Sequence, residues 1–302
     1  MIRIGTRKSK LALWQANQVK SQLEALGASA ILVPVESEGD QNLTDPIYKM
    51  GIQGIFTKTL DAALLNKKID LAVHSLKDVP TVLAEGIEIS AVLSRGPTKD
   101  VIVYHPQYAN NSQKKIIGTG SLRRKAQWLR KFPDFKFENL RGNVQKRLEK
   151  LEHSSWTGAI FAQAGVERLG ILGFGFKPLD WMIPAPAQGA IGIASLGSNT
   201  SIHPYLKQIN SADTALCTET ERSFLNTLEG GCTAPIGASA KIEGTKLILK
   251  AGLFSLDGKQ AKVIQEETPI ADAKGFGIQA AKNILNQGGA LLMEEIKSQM
   301  TK

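Results

Sequence analysis

Short apolar runs that break into a polar turn recur along the first two thirds of the chain, and this alternation restricts the fold most. Ile2-Arg3-Ile4-Gly5 leads into Thr6-Arg7-Lys8-Ser9. Ile69 to His74 leads into Ser75-Leu76-Lys77-Asp78-Val79-Pro80. Ile116-Ile117-Gly118 leads into Thr119-Gly120-Ser121-Leu122-Arg123-Arg124, and Ala159 to Ala162 leads into Gln163 to Arg168. Strands alternating with helices build mostly parallel sheets with crossover helices. Such open sheets hold ligands beyond the C-terminal ends of their strands.

The helices carry their own signals. Ser9 is a good N-cap, Ala12, Ala16, Val19, Leu23 and Leu26 follow at helical spacing, and Gly27 closes the run. Further strands are expected at 31–35, 87–93, 101–104 and 137–140, with a helix over 56–65. Residues 94–100 read as a hinge into a second unit. The proline-rich 184–194 reads as the return to the first. Beyond Ala212 the pattern changes to a helix over 214–227 and antiparallel strands at 236–242, 246–254 and 259–266, with Asp257-Gly258 as a hairpin turn. Helices are expected over 271–286 and 290–298. The expected organisation is therefore domain 1 at 1–95 and 189–207, domain 2 at 99–186, both α/β lobes about a cleft, and an α+β domain 3 with a small antiparallel sheet at 212–302. No internal repeat is visible in the sequence.

Arginine recurs just past the strand ends, as Arg7, Arg123, Arg124, Arg141 and Arg168. A guanidinium stays charged and grips a carboxylate in a two-point fork. Gly118 to Arg124 resembles a dinucleotide fingerprint, but Arg123 stands where the third glycine belongs, which leaves an anion cradle. Two positive charges at the positive end of a helix oppose its dipole, so an anion is expected between Arg123 and Arg124. Net charge is +9, and Arg123 to Lys150 alone holds ten Lys/Arg against three acids. A ligand with many carboxylates fits this balance.

Leu228-Glu229-Gly230-Gly231-Cys232-Thr233-Ala234-Pro235-Ile236-Gly237 is a glycine- and proline-broken loop with a cysteine at its centre. Cysteine in a turn is often only a small buried hydrophobe, but here two glycines leave room for a bulky group beside the sulfur. With only Cys217 besides Cys232, no disulfide framework or metal knuckle is expected, and four scattered histidines give a metal site no support. The start of the chain lacks a signal-peptide core, so a cytoplasmic protein is expected. A clam-shell binding protein and a nucleic-acid binder are the rival classes. The third unit argues against the first, and the lack of interleaved aromatics in the basic stretch against the second.

Taken together, Thr6-Arg7-Lys8-Ser9, His74 to Pro80, Gly118 to Arg124, Leu140-Arg141-Gly142-Asn143-Val144, Gln188-Gly189-Ala190 and Glu229-Gly230-Gly231-Cys232 closely resemble the porphobilinogen deaminase family over nearly the whole chain. The resemblance implies three domains, the first two like periplasmic binding proteins, and a transferase that joins four porphobilinogen molecules head to tail and releases hydroxymethylbilane. It implies a dipyrromethane cofactor held by a thioether on Cys232. By resemblance Asp78 is the catalytic aspartate. Ser75, Lys77, Asp78, Thr119, Ser121, Arg123, Arg124 and Gly142 match cofactor-binding positions, and Arg7, Ser9, Arg141, Arg147, Arg168 and Gln188 match positions that hold substrate or the growing chain. A small-molecule substrate, a monomer, and neither nucleic acid nor membrane as partner follow from the same likeness. The chain departs from the family pattern at Glu38-Gly39-Asp40, Gln53, Thr59 and Ala194, which puts the loop contacts of the first domain in question more than the chemistry.

Overall fold

The computed structural model describes residues 1–36, 57–108, 115–171, 175–228 and 234–301. Among these, the chain divides into two compact units, one of 1–36, 57–96 and 189–216, the other of 97–108, 115–171, 175–188, 217–228 and 234–301.

In the first unit, β1 (Ile2–Arg7) runs into α1 (Lys10–Ala25), then β2 (Ala30–Val35), α2 (Lys58–Leu65), β3 (Leu71–Ser75) and β4 (Ile87–Val92). The Ser9 hydroxyl accepts from the Ala12 N–H at 3.3 Å, so the expected N-cap forms. Its spacing puts Ala12, Ala16, Val19 and Leu23 on the buried face. Each large apolar side chain removed from water there contributes roughly 2 kcal/mol. Gly27 ends the helix with φ +84°, a conformation that side chains resist. Alternation along β3 sends Leu71 and Val73 to one face, with Val19 and Leu23, and Ala72 to the other, with Leu60 and Leu64 of α2.

The second unit opens with β5 (Asp100–Tyr104), β6 (Ile116–Gly118), α3 (Leu122–Lys131), β7 (Lys136–Glu138), α4 (Val144–Glu152), β8 (Gly158–Ala162), α5 (Gln163–Arg168) and β9 (Phe176–Pro178). The strand expected at 137–140 lies one residue earlier and stops at Glu138. Leu140 turns into the core instead, 1% exposed. The chain then returns as β10 (Ile191–Leu196), continues through α6 (His203–Ile209), and α7 (Ala212–Thr227) carries it across to the second unit at Cys217.

The two sheets share one topology. The first has the order β2-β1-β3-β10-β4 and the second β7-β6-β8-β5-β9. In each, three parallel strands are followed by one antiparallel strand, which also pairs antiparallel with the edge strand. The antiparallel strand is the return strand β10 in one case and the outgoing strand β5 in the other. The repeat invisible in the sequence is thus present in the sheets. Gly5-Thr6 of β1 and Gly118-Thr119 at the end of β6 occupy matching places. A Cβ on Gly5 would lie 2.2 Å from Ile69 Cδ1, and one on Gly118 2.4 Å from the Trp156 ring.

The rest of the second unit is the antiparallel sheet β11 (Ile236–Glu243), β12 (Lys246–Phe254) and β13 (Ala261–Pro269), in that order, with α8 (Phe276–Ile284) and α9 (Ala290–Thr301). The helix expected over 271–286 starts later, after a left-handed Gly275. The Asp257-Gly258 hairpin packs on α3, and Ala126, Ile183 and Phe254 form a shared core. The expected fold class holds: two α/β lobes with matching sheets and a small antiparallel module. Ala194, where the family pattern departs, is 1% exposed in β10 between Ala72 and Ile89, an apolar site. Thr59 is half-buried on α2, while Glu38, Gly39, Asp40 and Gln53 lie outside the described residues.

Candidate functional site

In the first unit, β1 and β3 are parallel neighbours, Gly5 facing Ala72, so Arg7 lies level with His74 at one sheet edge. Ser75 is fixed by Gln15 of α1, 2% exposed, whose Nε2 lies 2.9 Å and Oε1 3.2 Å from the Ser75 hydroxyl. Past Ser75 the chain makes one 3-10 turn, Leu76–Asp78. The Leu76 N–H donates to Ala190 O at 3.1 Å, and the Val79 N–H closes the turn on Leu76 O at 3.2 Å. Leu76 is buried against Gly192, where a Cβ would approach it to 2.8 Å. A buried leucine thus pins the turn that presents the half-buried Lys77 and Asp78.

His74, beside them, is buried. Desolvation and then the nearby Arg7 charge lower its pKa from 6.5 to about 4. Between these values the unfolded chain binds a proton that the folded chain refuses. His74 therefore leaves stability intact above about pH 6.5 and takes away up to roughly 3 kcal/mol as pH falls to about 4. Urea midpoints at pH 7 and pH 4 should separate less in His74→Gln than in the wild type. Equal separations would remove His74 as the source.

In the second unit, the parallel strands β7, β6 and β8 end at one edge, and the predicted residues follow each. Beyond β6, Thr119 Oγ1 accepts from the Ser121 N–H at 3.3 Å, and Ser121 caps α3 by accepting from the Arg124 N–H at 3.4 Å. Gly120 passes close to the neighbouring turn, where a Cβ would stand 3.0 Å from Leu140 O. Beyond β7, Arg141 is 3% exposed and Gly142 has φ +109°. Asn143 caps α4, and Arg147 Nε donates to Gly142 O at 2.7 Å. Arg168 closes α5, half-buried. Burial lowers its pKa against the opposing pull of Glu167.

Between Arg123 and Arg124 the protein places a carboxylate of its own. Asp100, the first residue of β5, is fully buried and accepts from Arg123 Nη1 at 2.6 Å and from Arg124 Nε at 2.9 Å. Arg124 Nη2 lies 2.8 Å from the same carboxylate. Burial pushes this carboxyl up, but the two guanidinium charges, with hydrogen bonds from Arg123 and Gln188, outweigh it and hold the group well below the usual carboxylate range. The arginines also serve backbone oxygens, Arg123 that of Ile183 at 2.7 Å and Arg124 that of Ile160 at 2.9 Å. Both are at most 5% exposed. Gln188, expected against substrate, lies in the protein interior. It is 0% exposed, and its amide nitrogen donates to Thr98 O at 2.7 Å and to Asp100 at 3.1 Å. Its place is in the frame behind the arginines.

Two buried acids escaped the sequence reading. Asp100 left a trace, a lone acid heading the apolar run Val101-Ile102-Val103. Glu221 of α7 ends the run Thr218-Glu219-Thr220-Glu221. It falls on the helical stripe of Thr214, Cys217, Thr218, Phe224 and Leu225, all buried, and that spacing could have found it. Its two oxygens accept from the backbone N–H groups of Ala187 and Ala240, each at 2.6 Å. Cys217 lies on the same buried stripe, a core thiol. Cys232 and the loop around it lie outside the described residues. Among the described residues, no group of His, Cys, Asp and Glu could hold a metal ion, and no helix is long and apolar enough to cross a membrane.

These features define a class: a duplicated α/β scaffold that arrays guanidinium groups past its strand ends, with an antiparallel module appended. The comparisons narrow it. Residues 2–203 match the family model described as porphobilinogen deaminase, dipyromethane cofactor binding domain, and residues 215–286 match the porphobilinogen deaminase C-terminal domain. The chain is 40% identical over its full length to porphobilinogen deaminase of Desulfitobacterium hafniense, covering 99% of it. It is 39% identical over its full length to that of Moorella thermoacetica, covering 98%. The chain belongs to the porphobilinogen deaminase family. Among solved structures, an ancestral cationic amino acid solute-binding protein matches at 14% identity and a TM-score of 0.41, over 68% of this chain and 88% of that one. That likeness is too slight to add to the sheet order itself.

Proposed function

We infer that this chain catalyses the stepwise deamination and head-to-tail condensation of four porphobilinogen molecules on a dipyrromethane primer and releases hydroxymethylbilane, a transferase step in tetrapyrrole biosynthesis. The observation that carries this is the span of the dipyromethane-binding match, 2–203, over the same strand ends that bear the arginines. The donor set suits the cofactor. Pyrroles with acetate and propionate arms need several cationic donors close to backbone. Within the second unit, Ser121, the close approach at Gly120 and the Arg123–Arg124 pair supply them.

Bound dipyrromethane supplies the pyrrole carbon onto which porphobilinogen is added. Asp78, held by its pinned turn, accepts the pyrrole N–H of the reacting ring and stabilises the positive charge that develops as ammonia leaves. Its carboxylate also holds the proton that must move between steps. Arg7 and Ser9, at the end of β1 and the start of α1, receive substrate carboxylates in the first unit. Arg141, Arg147 and Arg168 do the same in the second. Ser75, steadied by Gln15, Thr119, through its contact with Ser121, and the left-handed turn at Gly142 set the backbone around the cofactor acids.

In the same reading, residues 212–302 form the module that carries the tether, and Cys232 is the thioether residue. The burial of Cys217 in α7 supports this choice between the two cysteines. The protein is taken as a cytoplasmic monomer, which sedimentation and cell fractionation would check. The central test is intact mass. Wild-type protein should carry the added mass of two condensed pyrroles, and Cys232→Ser should lack it, while Cys217→Ala should keep it. An active wild-type enzyme of bare mass would refute the reading.

A further inference from the structure

Burying a carboxylate with two guanidinium groups is a poor way to gain stability. The desolvation of such a cluster often cancels its Coulomb attraction, and apolar replacements are frequently as stable. What the cluster does fix is direction. Arg123 spends Nη1 on Asp100 and Ile183 O, and among the described residues its Nε and Nη2 bond nothing. Arg124 is held on one edge by the same carboxylate through Nε and Nη2, and at Nη1 by Ile160 O. Asp100 thereby sets the planes of both forks. Asp100 is itself held by Gln188, and the preceding residue, Ala187, sits in a left-handed conformation at φ +60° that only a strong restraint maintains. Glu221 is that restraint, accepting the Ala187 N–H at 2.6 Å.

We propose that Asp100 is a positioning residue for cofactor binding: from inside the second unit it orients Arg123 and Arg124 to receive carboxylates of the dipyrromethane. It touches no ligand itself. The inference rests on the functional reading above and adds a residue to it. Asp100→Asn retains the shape and one accepting oxygen but loses the charge that aligns two forks at once.

The test follows loading of cofactor-free protein with porphobilinogen by intact mass, as a function of porphobilinogen concentration. For Asp100→Asn the half-saturating concentration should rise about tenfold, the weight of one charge-assisted hydrogen bond, while the limiting loading rate of the folded protein stays near wild type. A purely structural role would lower the amount of folded protein and leave that concentration where it was, and this result would overturn the proposal. If Asp100→Asn does not fold, Gln188→Met carries the test, since it removes the amide that steadies Asp100, along with its bond to Thr98 O, and leaves the Asp100 charge in place. A rise of severalfold supports the inference, and a wild-type value overturns it. Wild-type protein that takes up no pyrrole mass at all would instead strike the functional reading.

Discussion

Asp78→Asn should consume porphobilinogen about a hundred- to ten-thousandfold more slowly than wild type, the usual weight of a positioned acid–base or charge-stabilising group. The side chain leaves a turn closed by the Val79 N–H on Leu76 O and anchored at both the backbone and the side chain of Leu76. Asparagine fits that turn without disturbing either anchor, so the loss should fall on the chemical step. The amide still fills the place beside the pyrrole N–H but cannot answer the positive charge left as ammonia departs, nor take up a proton. Intact mass should show the dipyrromethane still in place, which separates failed turnover from failed assembly. A rate within about threefold of wild type would remove Asp78 from its assigned role.

The largest loss of stability is expected from Glu221→Ala. Two buried backbone N–H groups, those of Ala187 and Ala240, would lose their acceptor together. Each costs about 1–3 kcal/mol when left unsatisfied, and the vacated space adds to that, for a total of about 3–5 kcal/mol. Glu221→Gln should fall between, because its carbonyl oxygen can serve one N–H while its NH2 faces the other. Urea unfolding measures both. An alanine variant within about 1 kcal/mol of wild type would mean that the two N–H groups find other acceptors. Loss of this acid should also release the left-handed Ala187 and, through Gln188, loosen the frame around Asp100.

Local signals carried far in this chain. The N-cap at Ser9, the helical spacing of Ala12, Ala16, Val19 and Leu23, the Ser121 cap and the Asp257-Gly258 hairpin are each set by neighbours within a few residues, so a reader of the sequence finds them. The arginines past the strand ends were legible for the same reason, because strand, turn and helix start follow one another directly. The arginine pair at 123–124 pointed to negative charge nearby, but the sequence had no means of naming Asp100, more than twenty residues away and brought there only by the pairing of β5 with β8.

The sequence by itself determined the elements, the alternation that makes two α/β lobes, and the residue types that meet carboxylates, because these depend on spacing along the chain. The tertiary structure alone decided which of those residues face inward. It brought Gln188 against Asp100, made Asp100 and Glu221 the buried acids that hold the frame, and revealed that the two sheets repeat one order. The reason is physical. Whether a polar group meets solvent or another polar group in the core depends on contacts between segments far apart in sequence, and the cost of burying it is met only where those partners converge.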